Sequence, residues 1–284
     1  MYRESLVTAD SLRLNLMSSD PVGPPLLLLH GVIRRWQTFL PLLPHLTQRW
    51  QLLGLDLPGH GQSDHLAGEY LVVDYVRVVT GLVRSQFQKP LVIYGHSLGA
   101  MVAAGVAADA GDLVRAIILE DPPLDTMASR IEETWLHGYF LGLARHAGSP
   151  LAVGQLAAEL ANMILVDPQT RQSQRLGDLR DAAQLCFLAS CLKHLDPAVL
   201  RPITEARWLA EFDWPQVFSR IACPMLLLQA DEAAGGMLVD ADAVRAASRA
   251  SDCTLVKLRG CGHNMHVART QEVANVVHAF LESL

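Results

Sequence analysis

Hydrophobic positions along the chain fall into short continuous runs separated by longer stretches of helical periodicity. The runs are Leu26-Leu27-Leu28-Leu29, Leu52-Leu53-Gly54-Leu55, Leu91-Val92-Ile93-Tyr94, Ala116-Ile117-Ile118-Leu119, Met225-Leu226-Leu227-Leu228 and Cys253-Thr254-Leu255-Val256. Continuous rather than alternating hydrophobicity predicts strands buried on both faces, as in a parallel sheet covered by helices. Ser11-Leu12-Arg13-Leu14-Asn15-Leu16 alternates instead, which predicts an edge strand near the N-terminus. Helical stretches fill the gaps, among them 74–87, 240–250 and 271–284. The order is that of a doubly wound α/β domain.

One gap breaks the alternation. About a hundred residues separate the run ending at Leu119 from the run starting at Met225, and a connection that long must carry structure of its own. It reads as helices over 128–147, 150–165, 177–194 and 207–221, punctuated by Pro168, Pro197, Pro202 and Pro215. The expected organisation is a core domain of 1–124 and 222–284 carrying a helical cap of 125–221.

Half of the 284 residues are hydrophobic and the mean hydropathy is +0.21, which supports a sizeable core and excludes disorder. A net charge of −6 without a Lys/Arg cluster argues against nucleic acid or an anionic membrane as partner. No apolar run approaches the roughly 18 residues of a membrane span, and Met1-Tyr2-Arg3-Glu4-Ser5 lacks a secretory pattern. The five cysteines (186, 191, 223, 253 and 261) are odd in number and contain no C-x-x-C pair. Free thiols in a reducing cytoplasm are therefore expected, with no metal and no cofactor. Nothing in the pattern addresses oligomeric state.

The chemistry concentrates at Gly95-His96-Ser97-Leu98-Gly99, a G-x-S-x-G pentapeptide between an apolar run and a small-residue helical stretch. Strand, sharp turn and helix are the context in which such a serine is presented as a nucleophile. A serine nucleophile needs a base, and His263 stands on the Gly-flanked loop Gly260-Cys261-Gly262-His263 after the last strand-like run. His266 is the local rival, without flanking glycines; His96 and His30 suit packing or loop support. An oxyanion needs two backbone donors. Leu98 follows the nucleophile at a helix start, and Val32 follows His30-Gly31 at the end of an earlier strand.

These motifs, with Asp56-Leu57-Pro58-Gly59-His60-Gly61-Gln62-Ser63 between them, resemble the α/β-hydrolase superfamily in content and order. The resemblance covers nearly the whole chain outside the cap. It implies an α/β-hydrolase fold with a mostly parallel sheet, a lid, and a Ser–acid–His triad without cofactor; in it, the Asp56–Ser63 motif and Asp64 are structural. The acid departs from the common pattern. Where most relatives have G-x-x-D after the penultimate strand, this chain reads Gln229-Ala230-Asp231-Glu232-Ala233, with alanine at the expected position. Asp121, at the end of Ile117-Ile118-Leu119-Glu120-Asp121, occupies the strand end used by haloalkane dehalogenases and zearalenone-lactonase-like hydrolases, and is favoured over Asp231. Glu120 is expected to point to the opposite side of its strand.

Serine at position 97 disfavours dehalogenase and epoxide-hydrolase chemistry, which needs a carboxylate nucleophile. The expected substrate is a small to medium, mostly apolar ester or lactone. Trp36, Trp135 and Tyr139 are the candidate substrate contacts, while Trp208, Phe212 and Trp214 suit a pocket or the cap's own core equally. Arg34 and Arg35 suit contact with an anionic group, with solvated surface as the default reading. C–C bond hydrolysis, perhydrolysis and transfer to an alcohol use the same triad, and a non-catalytic ligand-binding protein keeps the same fold.

Overall fold

A computed structural model describes residues 2–284. Its strands in chain order are β1 (Arg3–Ala9), β2 (Leu12–Ser18), β3 (Pro25–Leu29), β4 (Gln51–Leu55), β5 (Leu91–His96), β6 (Val114–Glu120), β7 (Ile164–Val166), β8 (Ser173–Arg175), β9 (Met225–Ala230) and β10 (Cys253–Leu258). Eight of them form one sheet in the order β1-β2-β4-β3-β5-β6-β9-β10, and β7 and β8 form a separate hairpin. β1 and β2 join the sheet antiparallel; the remaining six strands run parallel. This is the α/β-hydrolase fold, and its central strands are the apolar runs of the sequence.

Successive residues of a strand point to opposite faces, and in β5 each face meets its own core. Leu91 and Ile93 pack into one buried cluster with helices α1 (Val72–Gln86) and α2 (Leu98–Asp109). Val92 and Tyr94 pack into the other, against the C-terminal helix 270–282. A strand covered on both sides favours apolar residues on both faces, hence the unbroken run before the polar strand end at His96. β1 carried no such signal, yet it forms the edge of the sheet, and the alternating strand β2, expected at the edge, lies between β1 and β4. The residues of β1 are mostly exposed, and it is held by seven paired positions along β2.

Between β6 and β9 the chain forms α3 (Trp135–Ala144), α4 (Val153–Ala161), α5 (Ala182–Lys193) and α6 (Trp214–Ser219). These are shorter than the expected helices. Over 207–221 the helix starts only at Trp214, where Pro215 and the Asp213 side chain, accepting from the Gln216 N–H at 3.2 Å, define its first turn. The end of 150–165 leaves the helix to form β7, with β-branched residues at both ends of Ile164-Leu165-Val166. Leu136, Leu143, Leu160, Trp208 and Phe218 of this segment join the α1/α2 core. Beyond α6 the chain adds α7 (Asp240–Arg249) and α8 (Thr270–Glu282). Among the described residues no helix is long and apolar enough to cross a membrane, and all five cysteines are free.

Candidate active site

Ser97 sits between β5 and α2 with φ 54° and ψ −116°. That conformation costs a non-glycine residue about 1–3 kcal/mol and persists only where surrounding structure imposes it. Here the Ser97 N–H donates to the Glu120 carbonyl at 2.9 Å, and its own carbonyl accepts from Ala100 and Met101 at 3.0 and 3.2 Å. A Cβ on Gly99 would lie 2.0 Å from the Leu29 carbonyl oxygen, so only glycine lets α2 approach β3 this closely. Gly31 lies against the same bend, where a Cβ would stand 3.1 Å from that of Ser97. The Gly31-Val32 backbone is thereby brought beside the serine. Leu98 opens α2, and first-turn N–H groups lack intrahelical partners and carry partial positive charge.

His263 is delivered by the loop after β10. Its Nδ1 pairs with Asp121 Oδ2 at 2.6 Å, with 13% of the histidine side chain and none of the aspartate exposed. Asp121 follows β6 directly with φ 46°. Its carboxylate also accepts from the backbone N–H groups of Met237 at 2.8 Å, Leu238 at 3.1 Å and Ala230 at 3.2 Å. These contacts fix its orientation. Asp231 has different partners: its oxygens accept from Ala233 at 3.1 Å and Gly260 at 2.8 Å. Those bonds hold its carboxyl below the usual range and tie the loop after β9 to the loop after β10.

Beneath this pair lies a second one that sequence reasoning missed. Glu120 faces the opposite side of β6, as expected, and there it meets His266, which is fully buried. Glu120 Oε1 accepts from the His266 backbone N–H at 3.0 Å and lies 2.9 Å from its Nδ1. The Tyr94 hydroxyl donates to Oε2 at 2.5 Å, and His266 Nε2 is 3.1 Å from Thr38 Oγ1. Burial alone pushes the Glu120 carboxyl up, but its attraction to His266, with hydrogen bonds from His266 and Tyr94, outweighs it and holds the group at about 2. Two successive acids thus grip two histidines of one loop. The available signal was the pairing of Glu120-Asp121 with His263-x-x-His266. Glu120→Ala strands these buried donors, and we expect it to lower stability by at least about 3 kcal/mol. Urea denaturation showing a loss below about 1 kcal/mol would count against this role.

His96 completes the layer. Its Nε2 donates to the His263 carbonyl at 3.0 Å, the two rings are 4.6 Å apart, and its Nδ1 is buried without a partner. His96, Glu120 and His266 are close enough to share a metal ion. Each of them is, however, already engaged in this hydrogen-bond network.

In front of Ser97 opens a cavity of 490 Å³ whose wall includes Val32, Ser97, Trp135, Tyr139, Phe140 and His263. This size suits a small-molecule site. Trp36 is not on the wall. It begins a 3₁₀ turn over Trp36–Phe39 and packs into the core of the opposite sheet face, with its backbone N–H donating to Asp56 Oδ1 at 2.9 Å. The expectation that it meets substrate is corrected accordingly. Trp208, Phe212 and Trp214 belong to the buried core. Arg35 donates to Ser190 Oγ of α5 at 3.1 Å, while Arg34 lines the cavity.

The sequence matches the Alpha/beta hydrolase family over residues 26–276. The chain belongs to that family. A segment is 33% identical over 116 residues to 2-(acetamidomethylene)succinate hydrolase of Mesorhizobium japonicum, covering 38% of this chain and 42% of that protein. Another is 32% identical over 93 residues to (E)-2-((N-methylformamido)methylene)succinate hydrolase of Acinetobacter baylyi, covering 33% and 35%. The matched segments thus span less than half the length of these curated relatives. Among solved structures, an E-2-(acetamidomethylene)succinate hydrolase superposes with a TM-score of 0.75 at 21% identity, covering 99% of this chain and all of the other. The enol-lactonase of Burkholderia xenovorans LB400 gives 0.73 at 17% identity, with 98% and 100% covered. These likenesses establish the fold of this hydrolase-family chain.

Proposed function

We propose that this protein is a cofactor-independent serine hydrolase that cleaves a carboxylic ester or lactone of small to medium size. The observation that carries the reading is the Asp121–His263 pair on the cavity that also holds the strained Ser97. With Nδ1 of His263 bound to Asp121, Nε2 remains to take the Ser97 Oγ proton as Oγ attacks the substrate carbonyl. The N–H groups of Leu98 and Val32 stabilise the oxyanion. The same imidazole, now protonated, passes its proton to the leaving oxygen. It then activates water, which releases the acid from the acyl-serine. Residues 125–221 act as a cap, contributing Trp135 and Tyr139 to the cavity wall, and the protein works in the cytoplasm on a small molecule.

Ser97→Ala is expected to lower turnover of p-nitrophenyl esters by about 10⁶-fold with an unchanged circular-dichroism spectrum. Undiminished activity in that variant would refute the assignment. A second reading keeps these residues and changes the bond to a C–C or amide linkage. It is favoured by relatives named for acetamido- and formamido-methylene succinates, and product analysis distinguishes the two.

A further inference from the structure

The cavity in front of Ser97 has a neighbour. A second cavity of 330 Å³ shares part of its wall, and the shared residues are Arg34, Tyr139, Arg180, Gln184, Asn264 and Val267. The far side of the second chamber is mostly apolar, with Leu40, Pro41, Phe187 and Leu188 on its wall. Two chambers therefore meet at a polar partition carrying two guanidinium groups.

The charge on that partition is one-sided. The chain carries a net −6, yet among the described residues neither cavity has an aspartate or glutamate on its wall. Arg34 spends one N–H on the neighbouring Ile33 carbonyl at 2.9 Å, which leaves the rest of its fork available. None of the ion pairs found among the described residues includes Arg34 or Arg180. Two like charges on a partly enclosed wall repel each other and focus a positive potential into the cleft. Neutral side chains would line an apolar ester pocket at lower cost. Guanidinium groups repay that cost when an anion arrives, because charge-assisted hydrogen bonds to a carboxylate are about twice as strong as neutral ones. The amides of Gln184 and Asn264 add neutral donors on the same partition.

We infer that the substrate is an acid as well as an acyl donor: its scissile carbonyl lies at Ser97, an anionic group of the carboxylate type lies at the Arg34–Arg180 partition, and an apolar branch fills the second chamber. This inference rests on acyl transfer at Ser97 and names the substrate class for it.

Hydrolysis of mono-p-nitrophenyl adipate tests it against p-nitrophenyl hexanoate, which has the same chain length without the terminal charge. kcat/KM is expected to favour the adipate by about 10- to 100-fold, and the advantage shrinks as salt is added. Arg180→Gln and Arg34→Gln should each pull that ratio toward one, chiefly through KM of the anionic ester. A phosphonate-terminated analogue distinguishes the anion: equal preference would replace carboxylate with a phosphoryl-type ligand and overturn the class named here. A benzyl branch beside the free carboxylate should raise kcat/KM further, and a decrease would remove the second chamber from the proposal. A wild-type ratio near one, with hydrolysis still abolished by Ser97→Ala, overturns the inference and leaves the serine-hydrolase reading standing. If neither ester is turned over and a fluorophosphonate probe fails to label Ser97, both fall together.

Discussion

Asp121→Asn should lower kcat by about 10⁴-fold, the size of loss seen when a triad carboxylate is replaced by its amide. An amide presents an NH₂ group as well as an oxygen. Leu238 and Ala230 donate to Oδ1 while Met237 and His263 share Oδ2, so the NH₂ opposes two backbone N–H groups in one orientation and both the Met237 N–H and His263 Nδ1 in the other. Turned toward the histidine, it forces the wrong tautomer and removes the charge that stabilises the imidazolium. Turned toward the backbone, it leaves a buried donor without an acceptor, at about 1–3 kcal/mol. Thermal unfolding separates the two losses, since a folded but slow enzyme is the expected outcome. Asp231→Asn should change kcat by less than about tenfold, because the carboxylate there caps a turn, a role usually worth about 0.5–2 kcal/mol. The reverse ranking of the two variants would move the acid to Asp231.

A steep loss of stability between pH 7 and pH 5 is the other large effect expected. Three buried histidines are held neutral. Burial pushes His30 down to about 4 and His60 down to about 3, and it drives His96 well below the ordinary histidine range. The hydrogen bonds explain why a second proton is unwelcome. His30 has Nδ1 at 2.8 Å from the Gly31 carbonyl, while its Nε2 accepts from the Leu57 N–H at 3.0 Å. His60 has Nδ1 at 2.9 Å from the Pro58 carbonyl; His60 Nε2 and His96 Nδ1 are buried with no partner.

The sign follows from where protons bind. Below about 6.5 the unfolded chain protonates these imidazoles and the folded chain does not, so stability falls with pH. It is present in full above about 6.5 and is lost down to the folded values near 4 and 3. Each group contributes about 1.4 kcal/mol per pH unit across that window. His30 and His60 together then remove on the order of 4 kcal/mol by pH 5, a large part of a typical domain's 5–15 kcal/mol, and His96 adds to the loss in the same direction. Guanidinium titrations at pH 7, 6 and 5 should show the midpoint falling steadily. A midpoint independent of pH over that range would contradict the assignment of neutral buried imidazoles.

Local pattern carried the central sheet because strands buried on both faces leave an unmistakable mark: every residue of Leu91–His96 is buried, and the first four are apolar. The bend at Ser97 was equally legible, since only small residues permit the approach of α2 to β3 that Gly99 makes. β1 was not, because an exposed edge strand needs no hydrophobic periodicity and draws its definition from its partner. The helices of 125–221 were too long as read, because apolar content continues through Ile164-Leu165-Val166 while the backbone leaves the helix.

Residue order along the chain therefore specified the fold, the serine bend and a histidine on the loop after the last strand. Three-dimensional packing alone decided that Asp121 rather than Asp231 touches His263 and that Glu120 and His266 pair below them. It also turned Trp36 away from the cavity and put Arg34 and Arg180 on its wall. The physical reason is range. Hydrophobic periodicity and turn chemistry act between residues a few positions apart, whereas the Asp121–His263 contact joins side chains 142 positions apart, and only the assembled sheet brings such ends together.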